Sequence, residues 1–230
     1  MKVSVFLICK LIIACLCAYL ILVAFRWGIA STYYFQTNAL LERWNDDRAS
    51  LTVNSYQQAK EAIEKAVHFH PEHNHYIHTQ GRVLHWGIIV GAEKKSRYVD
   101  VVGLYLSATK TRPHWSETWT DLASLSAYLY GMNDQTRLYI AKAHSTGRYT
   151  KHVMFTVSKI YLTNWNYLNN EDKRLYIKIV HDSFLKEYRL KAQLALAKKY
   201  NKLQMVCLLL NKSSYIEEVN IQALEVRFCN

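Results

Sequence analysis

Five of the ten histidines fall within eleven residues, at His68, His70, His73, His75 and His78. Imidazole is the commonest side-chain ligand for transition metals, and a turn at Pro71 could gather His68, His70, His73 and His75 around one ion. No cysteine lies in this run, and Glu72 is its only carboxylate. The preferred reading is therefore structural: His68 and His70 meet the carbonyl end of a helix, and the others decorate an exposed turn. Glu117 and Asp121, four residues apart, could form a carboxylate pair on one helical face. Glycoside hydrolysis needs two carboxylates across a cleft, whereas acidic residues in a first helical turn already favour the helix dipole. The chain has no HExxH, GxSxG, GxxxxGK[ST] or GxGxxG. Those absences remove the usual zinc-protease, esterase, nucleotide-triphosphatase and Rossmann readings, and we expect a non-enzymatic chain with no cofactor and no dedicated metal site.

With chemistry set aside, the elements themselves carry the information. The 230 residues are 50% hydrophobic and 20% charged, with only 7 Gly and 2 Pro. Such a composition excludes disordered and collagen-like chains, and too few turn formers remain for a β-sandwich or barrel. The expectation is all-α. The excess of 29 Lys and Arg over 18 Asp and Glu implies acidic surroundings: nucleic acid, anionic lipid or an acidic polymer.

Residues 11 to 25 read LIIACLCAYLILVAF, and counting back to Val3 gives a largely apolar stretch of 23 residues. About 20 helical residues cross a hydrocarbon core, so an uncleaved membrane anchor is expected over 1–27. A cleaved signal peptide is the competing reading, but the apolar run continues past Ala18 and no A-x-A site follows it. Ile12-Ile13-Ala14-Cys15 makes only a poor lipobox. Lys2 and Lys10 precede most of the run and Arg26 follows it, which places the N-terminus in the cytoplasm and the body outside, in a bacterial periplasm. An extracytoplasmic body does not suit a nucleic-acid partner.

A helical connector is expected over 28–53, repeats over 54–150, and C-terminal helices with a tail packed on them over 151–230. At an offset of 42 residues Ala66-x4-Pro71 recurs as Ala108-x4-Pro113, Ile63 falls on Tyr105, Ile77 on Trp119 and Gly81 on Ala123. This is repeat architecture. Small residues at Ala59, Ala66, Gly81, Ala108 and Ala123 let helices approach. Trp119 and Leu122 fill the grooves, and Pro71 and Pro113 end helices. The pattern resembles the tetratricopeptide unit with a longer period than its usual ~34 residues, the excess falling in a loop around Gly91 to Lys95. Helices are expected to begin under caps at Asn54 or Ser55, at Ser116 and at Asn170. A break near Tyr188 and a strand-like tail after Val219 complete the reading.

The ordered features match a known family. His70-Pro71, Tyr76, Gly81-Arg82 and Trp86, then Arg112-Pro113-x-Trp115 and Thr118-Trp119-x2-Leu122-Ala123, resemble the VpsP-like proteins of bacterial exopolysaccharide clusters. Ala143, Trp165, Leu194-Ala195 and Met205-Val206-Cys207 extend the resemblance over about residues 50 to 210. It implies a bitopic inner-membrane protein with a helical-repeat domain, acting with protein partners in polysaccharide production or export.

Three further groups are candidates. Cys207 and Cys229 could form a disulfide if the body is periplasmic. Between Lys173 and Lys202 nine Lys or Arg, among them Lys186, Arg189, Lys191, Lys198 and Lys199, face only Asp182 and Glu187 on the local count. They suggest a surface for a protein partner or an anionic polysaccharide. Trp119, Trp86 and Trp165 are expected in the core, whereas Trp115, next to Pro113, is a candidate platform on which a sugar ring could stack.

Overall fold

The computed structural model describes residues 5–211 and residue 229. Among them every regular element is helical: α1 Val5–Asp46, α2 Val53–Phe69, α3 Asn74–Ile89, α4 Tyr98–Thr111, α5 Ser116–Tyr130, α6 Asp134–Gly147, α7 Lys151–Thr163, α8 Asn170–Ser183, α9 Glu187–Lys199 and α10 Leu203–Asn211. The strand-like tail expected after Val219 lies outside the described residues, apart from Cys229. The chain divides into two compact units, Met1–Thr111 and Arg112–Asn230.

In the first unit α1 packs on α2, and α3 packs on both α2 and α4. From Leu7 to Gly28 α1 is exposed along nearly all of its surface. Beyond that the same helix acquires a buried stripe, Ala30, Thr37, Leu41 and Trp44, all at 0% exposure. Their spacing of seven, four and three residues keeps them on one helical face. The segment expected as a connector is therefore the inner half of a helix whose outer half is the apolar run. Burying Leu41 and Trp44 contributes about 2–3 kcal/mol each, which is why no break separates the two halves. On α2 the matching face is Tyr56, Ala59, Ile63 and Ala66, again fully buried.

The cap of α2 is Thr52, with neither Asn54 nor Ser55 in that position. The backbone N–H of Ser55 donates to Thr52 Oγ1 at 3.1 Å and that of Thr52 donates to Ser55 Oγ at 2.9 Å, a reciprocal box that satisfies both end donors. Pro71 follows the end of α2, and His73 precedes α3. Small residues set the helix spacing at several places, Gly81 among them. A Cβ on Gly81 of α3 would stand 2.7 Å from the Tyr105 ring of α4, so only glycine permits this approach.

The second unit is a succession of hairpins, α5–α6, α7–α8 and α9–α10, in which α5 also packs on α7 and α7 on α9. Each odd-numbered helix thus touches its own partner and the next odd-numbered helix, the arrangement of a helical-repeat stack. Leu122 and Ala123 are fully buried. Trp119, expected in the core, is half-buried instead, because its indole N–H donates to the Pro113 carbonyl at 2.7 Å and holds the ring near the surface.

Ser116 is the first residue of α5, preceded by Trp115 without a side-chain cap. It is buried at 7% exposure, against the bare Cα of Gly147. Asn169, not Asn170, caps α8, accepting from the Asp172 N–H at 2.8 Å while Asp172 accepts from the Asn169 N–H at 3.1 Å. The break expected near Tyr188 falls just before Glu187. Two ion pairs tie α8 to α6 and its C-terminal edge. Arg137 reaches Asp172 at 3.1 Å, and Arg148 donates twice to Asp182, at 2.6 and 2.5 Å. The two carboxylates are 4% and 8% exposed, where paired guanidinium geometry offsets their desolvation.

Candidate functional site

The loop that lengthens the repeat does more than join helices. Gly91 takes φ +79°, and the Glu93 N–H donates to the Gly87 carbonyl at 3.0 Å, so the chain doubles back over the end of α3. This turns the Glu93 carboxylate inward. It accepts from the Tyr56 hydroxyl at 2.6 Å, from Lys60 Nζ at 2.9 Å and from Arg97 Nη1 at 2.9 Å. Burial would raise its pKa, but the hydrogen bonds from Tyr56, Lys60 and Arg97 outweigh that and hold the carboxyl at about 2. The Tyr56 hydroxyl is pushed up, first by burial and then by its bond to the Glu93 carboxylate. Gly87 leaves the Tyr56 ring its seat, since any Cβ there would overlap the ring.

Beside this node, α2, α3 and α4 enclose an open cleft of about 390 Å³. Ile63, Leu84 and Leu104 supply its apolar wall and Lys60, Gln80 and Arg97 its polar one. The two cations are already committed to Glu93 and, for Arg97, to Asp100 at 2.9 Å. Glu64 and Asp100 also line the cleft. Sequence reasoning missed Glu93 as the organising residue, although Arg97 four residues on was a legible partner.

The second unit presents a different face. Among the exposed large side chains are Tyr128 of α5 (68%), Phe155 of α7 (38%) and Tyr188 of α9 (54%), which come from the three helices that pack in series. His152 Nε2 lies 3.3 Å from Asp121 Oδ1 and links α5 to α7. Phe155 borders a shallow depression with Lys151, Arg189 and Ala192. α5 carries the carboxylates Glu117 and Asp121, and Lys151 of α7 and Arg189 of α9 line the depression beside Phe155. Glu117 and Asp121 are not a catalytic pair across a cleft: Asp121 serves the helix–helix contact, and Glu117 sits in the first turn of α5.

Of the basic residues anticipated as one surface, Lys186, Arg189 and Lys191 lie at the start of α9 and Lys198 and Lys199 in its last turn, about 10 to 20 Å apart by helical rise. Arg189 Nε donates to the Tyr188 hydroxyl at 3.0 Å, Lys191 pairs with Glu187, and Lys202 lies 5.1 Å from the half-buried Trp165 ring. Asp182 is absorbed by Arg148 and offsets none of this charge. Trp115 is half-buried with the Arg112 guanidinium 4.8 Å above its ring, so one of its faces is covered.

Three of the five histidines lie close together, with ring centroids 4.9 Å apart for His70 and His73 and 6.4 Å apart for His73 and His75, and each of these rings also meets an aromatic side chain. His70 stacks on Trp27 with centroids 4.8 Å apart, His73 stacks on Tyr76 at 3.9 Å, and His75 Nε2 lies 2.5 Å from the Tyr34 hydroxyl. His68 is exposed beside Phe69, while His78 is buried near Tyr105. Among the described residues no three His, Cys, Asp or Glu side chains gather as a metal centre requires. Ala59, Ala66 and Ala108 are fully buried, Gly81 is buried, and Pro71 and Pro113 are exposed in the turns. Cys207, 8% exposed on α10, is bonded to Cys229 with Cα atoms 5.8 Å apart.

No protein-family model matches the chain, and no curated protein matches it. Among solved structures it is similar to that of PilF from Pseudomonas aeruginosa, at 15% identity and a TM-score of 0.44, over 88% of this chain and 99% of that one. The architecture described above rests on the helix contacts themselves.

Proposed function

We propose that this chain is a membrane-tethered scaffold whose helical repeats hold a segment of a partner protein. The observation that carries the reading is the exposed aromatic series Tyr128, Phe155 and Tyr188 on three consecutively packed helices. Lys151 and Arg189 lie beside Phe155, and α5 carries Glu117 and Asp121. Large apolar side chains left uncovered along a stack that also carries charges of both signs suit a partner segment that brings its own apolar anchors and complementary charge. The groove beside Glu93 is a second place of the same kind.

The tether is α1. Its apolar run belongs to one helix long enough to cross a membrane and continues directly into the buried stripe ending at Trp44. We place the N-terminus in the cytoplasm and the body in the periplasm. The Cys207–Cys229 bond supports an oxidising compartment for the body. The sequence resemblance to VpsP-like proteins supplies the setting, an exopolysaccharide synthesis and export assembly in which this chain positions other components.

Affinity capture of the full chain from detergent-solubilised membranes tests the reading. Enrichment of polysaccharide-cluster proteins is expected. Their absence, together with salt-sensitive retention of the chain on anionic polysaccharide, would transfer the function to direct glycan binding. C-terminal reporter fusions test the side: activity of a periplasm-dependent reporter is expected, and activity of a cytoplasm-dependent one contradicts the placement.

A further inference from the structure

The contact between Trp27 and His70 fixes a depth. Trp27 comes two residues after the apolar stretch ends at Phe25, and the 21 helical residues from Val5 to Phe25 span about 32 Å. Trp27 therefore stands at headgroup level, where indoles favour the interface. Because its ring is stacked on His70, the end of α2 and the Pro71 turn stand at that level too. Tyr33 stacked on Phe69 and Tyr34 beside His75 place the next turn of α1 just above it.

The groups brought there are mostly cationic or able to become so. From α1 comes Arg26. From α2 come Lys65, whose ammonium lies 5.3 Å from the Tyr33 ring, and the exposed His68. The turn adds His70, His73 and one carboxylate, Glu72, and α3 adds His75. Thr111 bonds to Asn74 and carries the last turn of α4, with Lys110, to the same end of the unit. Glu61 and Glu64 lie further back along α2.

We propose that the α2–α3 turn docks on the phosphodiester of an anionic phospholipid headgroup, with Arg26, Lys65, His68 and His70 around Trp27 as the contacting side chains. The proposal rests on α1 spanning the bilayer. Its effect is to fix the tilt of the first unit on the membrane.

Native mass spectrometry of the full-length chain in detergent, with phosphatidylglycerol and phosphatidylcholine supplied equally, tests it. Phosphatidylglycerol is expected to be retained roughly fivefold or more over phosphatidylcholine. The variant Lys65→Gln/His68→Gln/His70→Gln should retain the two lipids equally while keeping its helical circular dichroism. Lys198→Gln/Lys199→Gln, which removes two cations from the second unit, should keep the preference. Equal retention by the unaltered chain, or loss of the preference in the Lys198/Lys199 variant alone, overturns the proposal. Displacement of phosphatidylglycerol by millimolar inorganic phosphate also overturns it, because the site would then be one for a free anion. Extraction of membranes with alkaline carbonate separates the two readings. A chain that stays in the membrane but shows no lipid preference refutes the docking alone, and a chain released by carbonate refutes the anchor and with it the docking.

Discussion

The Trp27 indole and the His70 imidazole lie 9° from parallel, so the helix that carries the apolar run is pinned to the end of the helix beside it. Further along α1, Trp44 is fully buried and its indole N–H donates to Ser55 Oγ at 3.2 Å. The two tryptophans mark the outer and inner ends of one helix–helix contact. Trp27→Ala is expected to cost about 1 kcal/mol, the scale of an exposed aromatic pair, and Trp44→Ala about 3–5 kcal/mol through the cavity it leaves. Urea denaturation of the detergent-solubilised chain measures both. Equal losses would contradict the division of α1 into an exposed and a buried half.

Gly81 and Tyr105 provide a sharper test of the packing. A Cβ on Gly81 meets the ring of Tyr105, so Gly81→Ala should destabilise by about 1–3 kcal/mol, even though alanine favours the helix. Tyr105→Leu removes the ring atoms in question. The double variant should therefore lose less than the sum of the singles, a coupling that a double-mutant cycle reads directly.

Glu93 and His144 make stability fall with acid in two separate windows. The Glu93 carboxyl is depressed from 4.5 to about 2, so its contribution is complete above the unfolded value and is lost as pH falls through 4.5 toward 2. His144 is lowered from 6.5 by burial, with Lys178 and Arg148 nearby adding to the effect. Its unfolded form binds the proton first, and stability declines as pH falls below 6.5. Thermal melts should show that His144→Gln flattens the upper slope and Glu93→Gln the lower one. Glu93→Ala should also cost about 2–3 kcal/mol at neutral pH by leaving the Tyr56 hydroxyl without its acceptor and two cations without their carboxylate.

Much of this arrangement was legible in residue spacing, and the exceptions have physical causes. The Ala66–Pro71 and Ala108–Pro113 recurrence identified helix ends because proline stops a helix wherever it stands. The helix starts were each displaced, to Thr52 and Asn169 in two cases. Neighbouring Thr, Asn and Ser side chains are equally able to cap, and only the backbone turn selects among them. Trp119 was misplaced because hydrophobicity speaks for burial while a single indole hydrogen bond to Pro113 holds the ring outward. Glu93 went unnoticed because a loop carboxylate looks solvated until the chain is seen to fold back over Gly87. The charge count around α9 concealed that Asp182 belongs to Arg148, a pairing 34 residues apart in sequence.

The Cys207–Cys229 bond closes a separation of 22 residues. A loop of that length stabilises by about 3 kcal/mol. Cys207→Ser should lower the melting temperature by several degrees under oxidising conditions and have little effect in excess reductant. Non-reducing mass analysis of the unaltered chain from its native membrane should show one thiol pair fewer than the reduced sample.

The central claim is that the aromatic series of α5, α7 and α9 holds a protein partner beside the membrane. A photoreactive phenylalanine analogue at position 155, irradiated in intact cells, addresses it most directly. The account predicts a discrete crosslinked protein adduct in the membrane fraction, weakened when Tyr128 and Tyr188 are both changed to serine and missing when the probe is moved to Lys142 on α6. Equal adducts from both positions, or none from position 155 in a folded, membrane-retained chain, would contradict it.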